Sequence, residues 1–361
     1  MRVLVVNAGS SSLKLAVLDH EDSVLATREL SAPEARIDRD AVAAALADLP
    51  DADAVGHRIV HGGERFAGPV RLDAAVEAAL RELVDLAPLH QPKSLAALDA
   101  ITSLRPELPA VAAFDTAFHR TLSAAASTYA LPEGWRERYG LRRYGFHGLS
   151  HAYAARRAAE LTARSRQRFL VITCHLGAGG SLAAVRDGKS VDTTMGFTPL
   201  EGLVMATRSG SIDPGLLTWL ITDRHLDPRE LADALEHRSG LMGLSGTADM
   251  RELLGREDSV ARLAVDVYIR SLRAGIGAMA TALGGLDAIV FTGGVGENSP
   301  KIRSFAADGL AFLGIAVDPR RNENGSSDRD ISADDASVRT LVIAAREDLE
   351  IARQVREVLE K

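Results

Sequence analysis

One carboxylate, two arginines and two glycine-rich turns are the residues of this 361-residue chain whose types and spacing suit chemistry on a phosphate. Asp115 closes a short apolar run, Ala110 to Phe114. Catalytic carboxylates often stand at the carboxyl end of a strand in α/β folds, and the same position also suits a helix N-cap. Arg58 follows a buried-looking strand start, where it could equally be a core-edge guanidinium paired with an acid. Arg208, in Thr207-Arg208-Ser209-Gly210, reads as a guanidinium in a mobile loop, as a phosphate clamp needs or as any solvated loop arginine would be. Together these features fit phosphoryl transfer.

The two turns share a design. Val3 to Val6 is an apolar, β-branched run that turns at Asn7-Ala8-Gly9-Ser10-Ser11-Ser12 and leaves through Leu13 to Leu18, with Lys14 among apolar neighbours. Phe169 to Gly188 repeats the plan around Gly177-Ala178-Gly179-Gly180-Ser181. Both read as hairpins. A tip of small residues lets backbone N–H groups and hydroxyls close on an anion, and Lys14 can reach it. Asn7 to Ser10 lies over His175 to Ala178, which points to a long-period duplication and a two-lobed nucleotide enzyme rather than two unrelated hairpins.

A chain of this length is expected to hold two domains. Its net charge of −7 gives no electrostatic case for nucleic acid or an anionic membrane. The positive charge of a nucleotide site must then be local, from particular Arg or Lys residues or a metal. The single Cys174 excludes an internal disulfide and a cysteine-based metal cluster. The first residues read as a strand rather than a signal peptide, and no apolar run reaches the roughly 20 residues a membrane helix needs. The cytoplasm is the expected compartment.

The positioning elements follow from pattern. Helices are predicted over 41–49, 72–86, 93–104, 152–162, 216–225, 229–237 and 260–283, with a terminal helix from Asp348. Buried strands are predicted around 54–60, 110–114, 288–292 and 341–344. Asp192 to Gly215 reads as a long active-site loop, Ser239 to Asp249 as irregular, and Gly293 to Asn298 as a glycine cluster breaking a strand before a helix. There is no Walker P-loop, intact G-x-G-x-x-G after the first strand, or H-E-x-x-H. His57/His61 and His147/His151 have the i, i+4 spacing of a helical zinc pair, but their glycine-containing segments are poor helices.

The motifs N-A-G-S-S-S-L-K at Asn7, G-H-R-I-V-H-G-G-E at Gly56, A-P-L-H-Q-P at Ala87, F-D-T-A-F-H at Phe114 and Y-G-F-H-G-L-S-H at Tyr144 come in the order of one family. So do M-G-F-T-P-L-E-G-L at Met195, T-R-S-G at Thr207, S-G-L-M-G-L-S-G at Ser239 and F-T-G-G-V-G-E-N-S-P at Phe291. Over nearly its whole length the chain resembles the acetate kinases. That resemblance implies the duplicated two-lobed α/β fold of sugar kinases and actin, with ribonuclease H-like lobes built on mixed sheets flanked by helices. One lobe would be residues 1–119 with 349–361, the other 120–348. It also implies ATP and ADP, Mg²⁺ with Mn²⁺ as an alternative, acetate or acetyl phosphate, and a homodimer.

By the same resemblance, Asn7 and Glu347 match positions at the magnesium and Lys14 a nucleotide-phosphate contact. Arg58 matches the carboxylate anchor, Asp115 the essential acid, and His147 and Arg208 the groups that stabilise the transferring phosphoryl. Val60, Leu89, Phe146 and Pro199 match the pocket around the substrate's alkyl group, with His90 beside it. His175, Leu176, Gly177, Ala178 and Gly179 match a nucleotide segment. So do Asp249, Met250 and Arg251, and Gly294, Val295, Gly296, Glu297 and Asn298. Four departures stand out: Ala178 and Gln91 where the family usually has Asn, Ser211 for a usual Asp, and a short 19–54 region. The implied reaction is ATP + acetate ⇌ ADP + acetyl phosphate. A propionate-preferring kinase and a non-catalytic nucleotide sensor are the alternatives.

Overall fold

The computed structural model describes residues 1–9, 12–32, 37–87, 91–163, 168–325 and 328–360. These form two compact units, Met1–Arg120 with Phe146–Tyr153 and Arg346–Lys361, and Thr121–Gly145 with Ala154–Ala345.

The first unit is built on β1 (Val3–Ala8), β2 (Ser12–Leu18), β3 (Val24–Ser31), β4 (Ala54–Ile59), β5 (Val70–Arg71) and β6 (Ala110–Phe114), in the sheet order β3-β2-β1-β4-β6-β5. β1, β4 and β6 run parallel, and β2, β3 and β5 are antiparallel to their neighbours. Side chains alternate across a strand, so β1 serves two faces. Val3 and Val5 meet Ile351, Ala352 and Val355 of the helix Glu347–Leu359. Leu4 and Val6 meet Val42 and Leu46 of the helix Arg39–Ala47, and Ala97 and Ile101 of the helix Gln91–Leu104. Each fully buried aliphatic side chain contributes roughly 1.5–3 kcal/mol, so this two-sided burial fixes the parallel strands whose ends carry Asn7, Arg58 and Asp115.

The second unit has β7 (Leu170–Leu176), β8 (Gly180–Arg186), β9 (Lys189–Thr193), β10 (Ala288–Thr292), β11 (Arg329–Asp330) and β12 (Arg339–Val342), in the order β11-β12-β10-β7-β8-β9. Its main buttress is the 25-residue helix Ser259–Leu283, capped by Asp258 and ended by the left-handed Gly284. Ala264, Tyr268, Leu272, Ile276 and Met279, spaced three or four apart, pack with Ile172, Cys174, Leu182, Ile289 and Phe291.

Reversing the second sheet's order gives β9-β8-β7-β10-β12-β11, and every parallel and antiparallel pairing then matches the first sheet. Even the register irregularity in the second strand recurs, at Val17/Leu18 and at Ala184/Val185. The duplication expected from the two hairpins is therefore present in the whole sheet topology.

Two local expectations are corrected. The helix expected from residue 152 begins at Gly148, whose N–H docks on the Asp115 carbonyl. Ser239–Asp249 is not wholly irregular: Gly240–Ser245 is a short helix ended by the left-handed Gly246. Strand β3, in the 19–54 stretch, carried no clear pattern because it is largely exposed on both faces.

Candidate active site

In the first unit, one guanidinium is the hub of three other polar side chains. Arg58 donates Nε to Asp115 Oδ1 at 3.0 Å, Nη2 to Asp115 Oδ2 at 2.6 Å, and Nη1 to Asn7 Oδ1 at 3.0 Å. Asn7 Nδ2 donates to Glu347 Oε2 at 2.8 Å, and Glu347 Oε2 lies 3.8 Å from Arg58 Nε. The positions follow from the fold. Asn7 is near the end of β1, Arg58 is on β4, Asp115 follows β6 and Glu347 opens the terminal helix. The carboxyl ends of parallel strands thus converge on one point. Asp115 is 1% exposed. Burial raises its pKa and Glu347 adds repulsion, while Arg58 opposes both. Burial also works against the charge on Arg58, but Asp115 and Glu347 more than offset it and keep the guanidinium protonated.

The Arg58 fork therefore holds a carboxylate of the chain itself. The expected pairing of Arg58 with an acid is thus what the structure shows. The bonds to Asp115 and Asn7 use three of its five N–H groups, and the two that remain, one on each Nη, have the spacing to fork a second carboxylate.

His147 sits beside Asp115 through backbone. Gly148 N–H donates to the Asp115 carbonyl at 2.8 Å. A Cβ at Gly148 would overlap that carbonyl oxygen, so only glycine allows the approach. His147 itself has φ of 56°. A non-glycine residue held there is strained by roughly 1–3 kcal/mol. Phe146 and Val60, both buried, lie in the same unit, and the Phe146 ring meets His61 edge-on at 5.6 Å. Gln91 exchanges bonds with the His61 backbone, its Oε1 accepting from N at 3.1 Å and its Nε2 donating to O at 3.2 Å. Leu89 and His90, like Ser10 and Ser11 of the first hairpin tip, lie outside the described residues. Lys14 is on β2 opposite Asn7, with Nζ 3.8 Å from Glu29.

In the second unit, two of the expected nucleotide segments come together. The hairpin β7–β8 turns through Gly177-Ala178-Gly179, with Gly177 N–H bonded to the Gly179 carbonyl at 2.8 Å. Gly293 lies directly against it: φ is 78°, and a Cβ there would fall within about 3 Å of the Leu176 backbone. The six residues Gly293–Asn298 form a short helix. Glu297 Oε1 accepts the N–H groups of Gly293 at 2.8 Å and Ala345 at 2.9 Å, and Asn298 Nδ2 donates to the Gly294 carbonyl at 2.9 Å. These two side chains hold their own segment and leave Gly294 facing open space. Asp249 caps the helix Met250–Gly255 and is gripped by Arg251, whose hydrogen bonds hold its carboxyl down at about 2.

The mobile loop expected around Arg208 is pinned. Thr207 Oγ1 donates to the Glu236 carbonyl at 2.7 Å, and Ser239 N–H to the Thr207 carbonyl at 2.9 Å. Arg208 Nε is 2.9 Å from Glu236 Oε2, and its Nη1 donates to the Pro199 carbonyl at 3.3 Å. The anchor is the helix Pro228–His237, which sequence pattern could place but could not join to residue 207.

The chain matches the acetokinase family over residues 30–353. The acetate kinase of Methanosarcina acetivorans is 41% identical to it, covering 100% of this chain and 97% of that one. The acetate kinase of Gloeobacter violaceus is 48% identical over 92% of this chain and 82% of that protein. Among solved structures, Porphyromonas gingivalis acetate kinase superposes with a TM-score of 0.90 at 36% identity, covering 99% of both chains. A propionate kinase from Francisella tularensis gives 0.90 at 34%, covering 99% of this chain and 100% of that one. The chain belongs to the acetokinase family.

Its departures from the family pattern are absorbed locally. Ala178 is exposed at its hairpin tip, where its carbonyl accepts Ala206 N–H at 3.1 Å. Ser211 Oγ accepts Gly202 N–H at 3.1 Å, and Ser211 N–H donates to the Gly202 carbonyl at 3.0 Å. Two residues that sequence reasoning passed over are tied into the candidate site. Glu236 fixes Arg208, and Arg303 is a fully buried guanidinium. Glu236 is one of several charged residues scattered along its helix, with nothing to distinguish it. Arg303 sits in a helix pattern whose Ile302 and Ala306 face the core, and that was the one available signal.

The cluster around Arg58 also suits a metal of the kind this family's resemblance implies. Asn7, Asp115 and Glu347 bring a side-chain carbonyl and two carboxylates together, and magnesium takes such hard oxygen donors. Two carboxylates against one guanidinium leave a net negative charge, which a divalent cation would offset.

Proposed function

We propose that this chain reversibly transfers the terminal phosphoryl group of ATP to acetate, giving ADP and acetyl phosphate. The observation that carries the reading is the Arg58 fork at the strand ends, closed on Asp115 and bordered by Asn7 and Glu347, in a chain of the acetokinase family. Acetate has a pKa of roughly 4–5 and is already ionised at neutral pH. Its carboxylate oxygen attacks the γ-phosphorus, the bond to the bridging oxygen breaks, and ADP leaves. No general base is needed, so the protein's work is alignment and charge neutralisation.

In this reading Arg58 anchors the acetate carboxylate, while His147 and Arg208 neutralise charge on the transferring phosphoryl. Asn7 and Glu347, with Asp115 beside them, would hold Mg²⁺, with Mn²⁺ as a substitute, and the cation would supply charge neutralisation on the phosphate oxygens. Asp115 would act through the cation or its bound water rather than as a proton acceptor. Backbone N–H groups of 175–179 and 294–298, with Lys14 and the 249–251 segment, take the nucleotide. Val60, Leu89, His90, Phe146 and Pro199 shape the space around the methyl group.

The enzyme is proposed to work as a cytoplasmic homodimer. The helix Pro214–Thr222 carries Leu216, Trp219 and Ile221 yet buries none of its residues, and an apolar helix left uncovered fits an interface with a second copy. Among the described residues no helix is long and apolar enough to cross a membrane. The substrate question is open to one assay, specificity constants for acetate, propionate and butyrate with ATP and Mg²⁺. Acetate should be preferred. A higher constant for propionate would favour the second reading, to which the Francisella tularensis relative lends weight.

A further inference from the structure

Arg303, on the helix Pro300–Asp308, is 0% exposed. Its Nη1 donates to the carbonyls of Gly296 at 2.8 Å and Glu297 at 2.7 Å. Its Nε donates to Asn322 Oδ1 and its Nη2 to the Asn322 carbonyl, both at 2.7 Å. All of these acceptors are neutral oxygens. A buried guanidinium without a carboxylate partner is costly, and an apolar side chain of similar volume would fill the space without desolvating a charge. Burial lowers the Arg303 pKa to about 10, with the Arg329 charge adding to it, so the group remains a cation near neutral pH.

The acceptors say what the cation does. Gly296 and Glu297 lie in the last turn of the helix Gly293–Asn298, where carbonyls lack intrahelical partners and carry the negative end of the helix dipole. Arg303 closes that end. Glu297, through Gly293 and Ala345 N–H, closes the other. Asn322 is itself held, its Nδ2 donating to the Pro300 carbonyl and to Ser304 Oγ, both at 2.9 Å. A lysine could not replace this bracing, because a single ammonium cannot span two carbonyls on one side and Asn322 on the other.

We propose that Arg303 is a positioning residue for nucleotide binding: it fixes the backbone of Gly294 to Asn298 in the conformation that receives ADP or ATP. The proposal rests on the assignment of that segment to the nucleotide. The decisive experiment compares wild type, Arg303→Lys, Asn322→Ala and Gly294→Val. It measures binding of a fluorescent methylanthraniloyl ADP, KM for acetyl phosphate at saturating ADP, melting, and hydrogen exchange across 293–299. Arg303→Lys should weaken nucleotide binding tenfold or more, leave the acetyl phosphate KM within twofold, and speed exchange across 293–299 ahead of the rest of the unit. Asn322→Ala should weaken binding severalfold, and it decides the matter if Arg303→Lys does not fold.

Gly294→Val places a side chain in open space above the segment and should abolish nucleotide binding in a folded protein. If Gly294→Val loses binding while Arg303→Lys, or failing it Asn322→Ala, binds as wild type does, the positioning role is wrong and the segment assignment stands. Fewer binding sites per mole at unchanged affinity would likewise mark Arg303 as structural only. If Gly294→Val binds nucleotide normally, the assignment falls and the proposal with it.

Discussion

The two units have the same strand order and the same strand directions, but their strand ends carry different chemistry. In the first, Asn7 and Arg58 stand one residue before the ends of β1 and β4, and Asp115 follows β6. In the second, a glycine turn follows β7, Gly293-Gly294 follows β10, and Ile343 follows β12. Asp115 and Ile343 even make the same bond, each donating its N–H to a carbonyl near the end of the neighbouring parallel strand, Ile59 and Phe291, at 3.0 Å. At one position stands a buried acid and at the other an aliphatic residue. A duplicated scaffold thus supplies equivalent points in each unit. One copy presents charged side chains and the other glycine-rich backbone, and the proposed function gives the carboxylate and the cation to the first and the phosphates to the second.

If that division is right, damage to the charged ends should stop chemistry while damage to the glycine ends should loosen nucleotide. The largest effect is expected from Asp115→Asn. Turnover should fall by at least a thousandfold in a protein that still folds, with melting lowered because a neutral amide no longer offsets Arg58, nor does it serve a cation as a carboxylate does. Turnover within tenfold of wild type would remove Asp115 from the mechanism.

Arg58→Ala should raise the KM for acetate and acetyl phosphate about a hundredfold and leave ADP affinity nearly unchanged. Removing the hub also leaves Asp115 buried beside Glu347 without its partner, so stability should fall by about 3–5 kcal/mol. An unchanged acetate KM with lost ADP binding would move Arg58 from the first unit's chemistry to the nucleotide.

Acid should separate the units. His57, His61 and His119 all belong to the first, and burial lowers each pKa to about 4. The unfolded chain takes up these protons near pH 6.5 and the folded one only near pH 4. The stability they allow is therefore complete above pH 6.5 and is lost as the pH falls toward 4, by up to about 3 kcal/mol for each. Asp115, whose carboxyl is raised, works in the opposite sense, one group against three. Hydrogen exchange at pH 5 should show the first unit opening before the second. Simultaneous opening would mean the histidines do not control it.

The smallest effect concerns Val60→Ala, which should raise the propionate-to-acetate ratio of specificity constants about tenfold, the low end of the range of about 1–3 kcal/mol that one methylene is worth. A ratio that does not move would place Val60 away from the alkyl group.

Much of this was legible in sequence where a residue's role is local. The run Ala110–Phe114 announced a buried strand and put Asp115 at its end. The two glycine turns announced hairpins, and their likeness announced the duplication. What stayed hidden was partnership at long range. Nothing around Arg58 says that its fork closes on a residue 57 positions away, or that Glu347 meets Asn7 across 340. Arg208 read as mobile because its anchors, Glu236 and Ser239, lie beyond a helix with no local signal of contact. Arg303 escaped notice because a cation in a helix pattern is ordinarily solvent-exposed, and only packing reveals that this one is buried.

The central claim is ATP-dependent transfer to acetate by a site whose nucleotide side is mostly backbone, despite Ala178 where the family usually has Asn. An Asn there could add a hydrogen bond worth roughly 1.5–3 kcal/mol to a charged phosphate, but the N–H groups of Gly177, Gly179 and Gly180 remain. The most direct measurement incubates purified protein with acetate, Mg²⁺ and either ATP or pyrophosphate, and traps acetyl phosphate with hydroxylamine. The account predicts acyl hydroxamate with ATP. Product with pyrophosphate and none with ATP would contradict it, and inactivity with both, restored by Ala178→Asn, would show that backbone alone does not hold the donor.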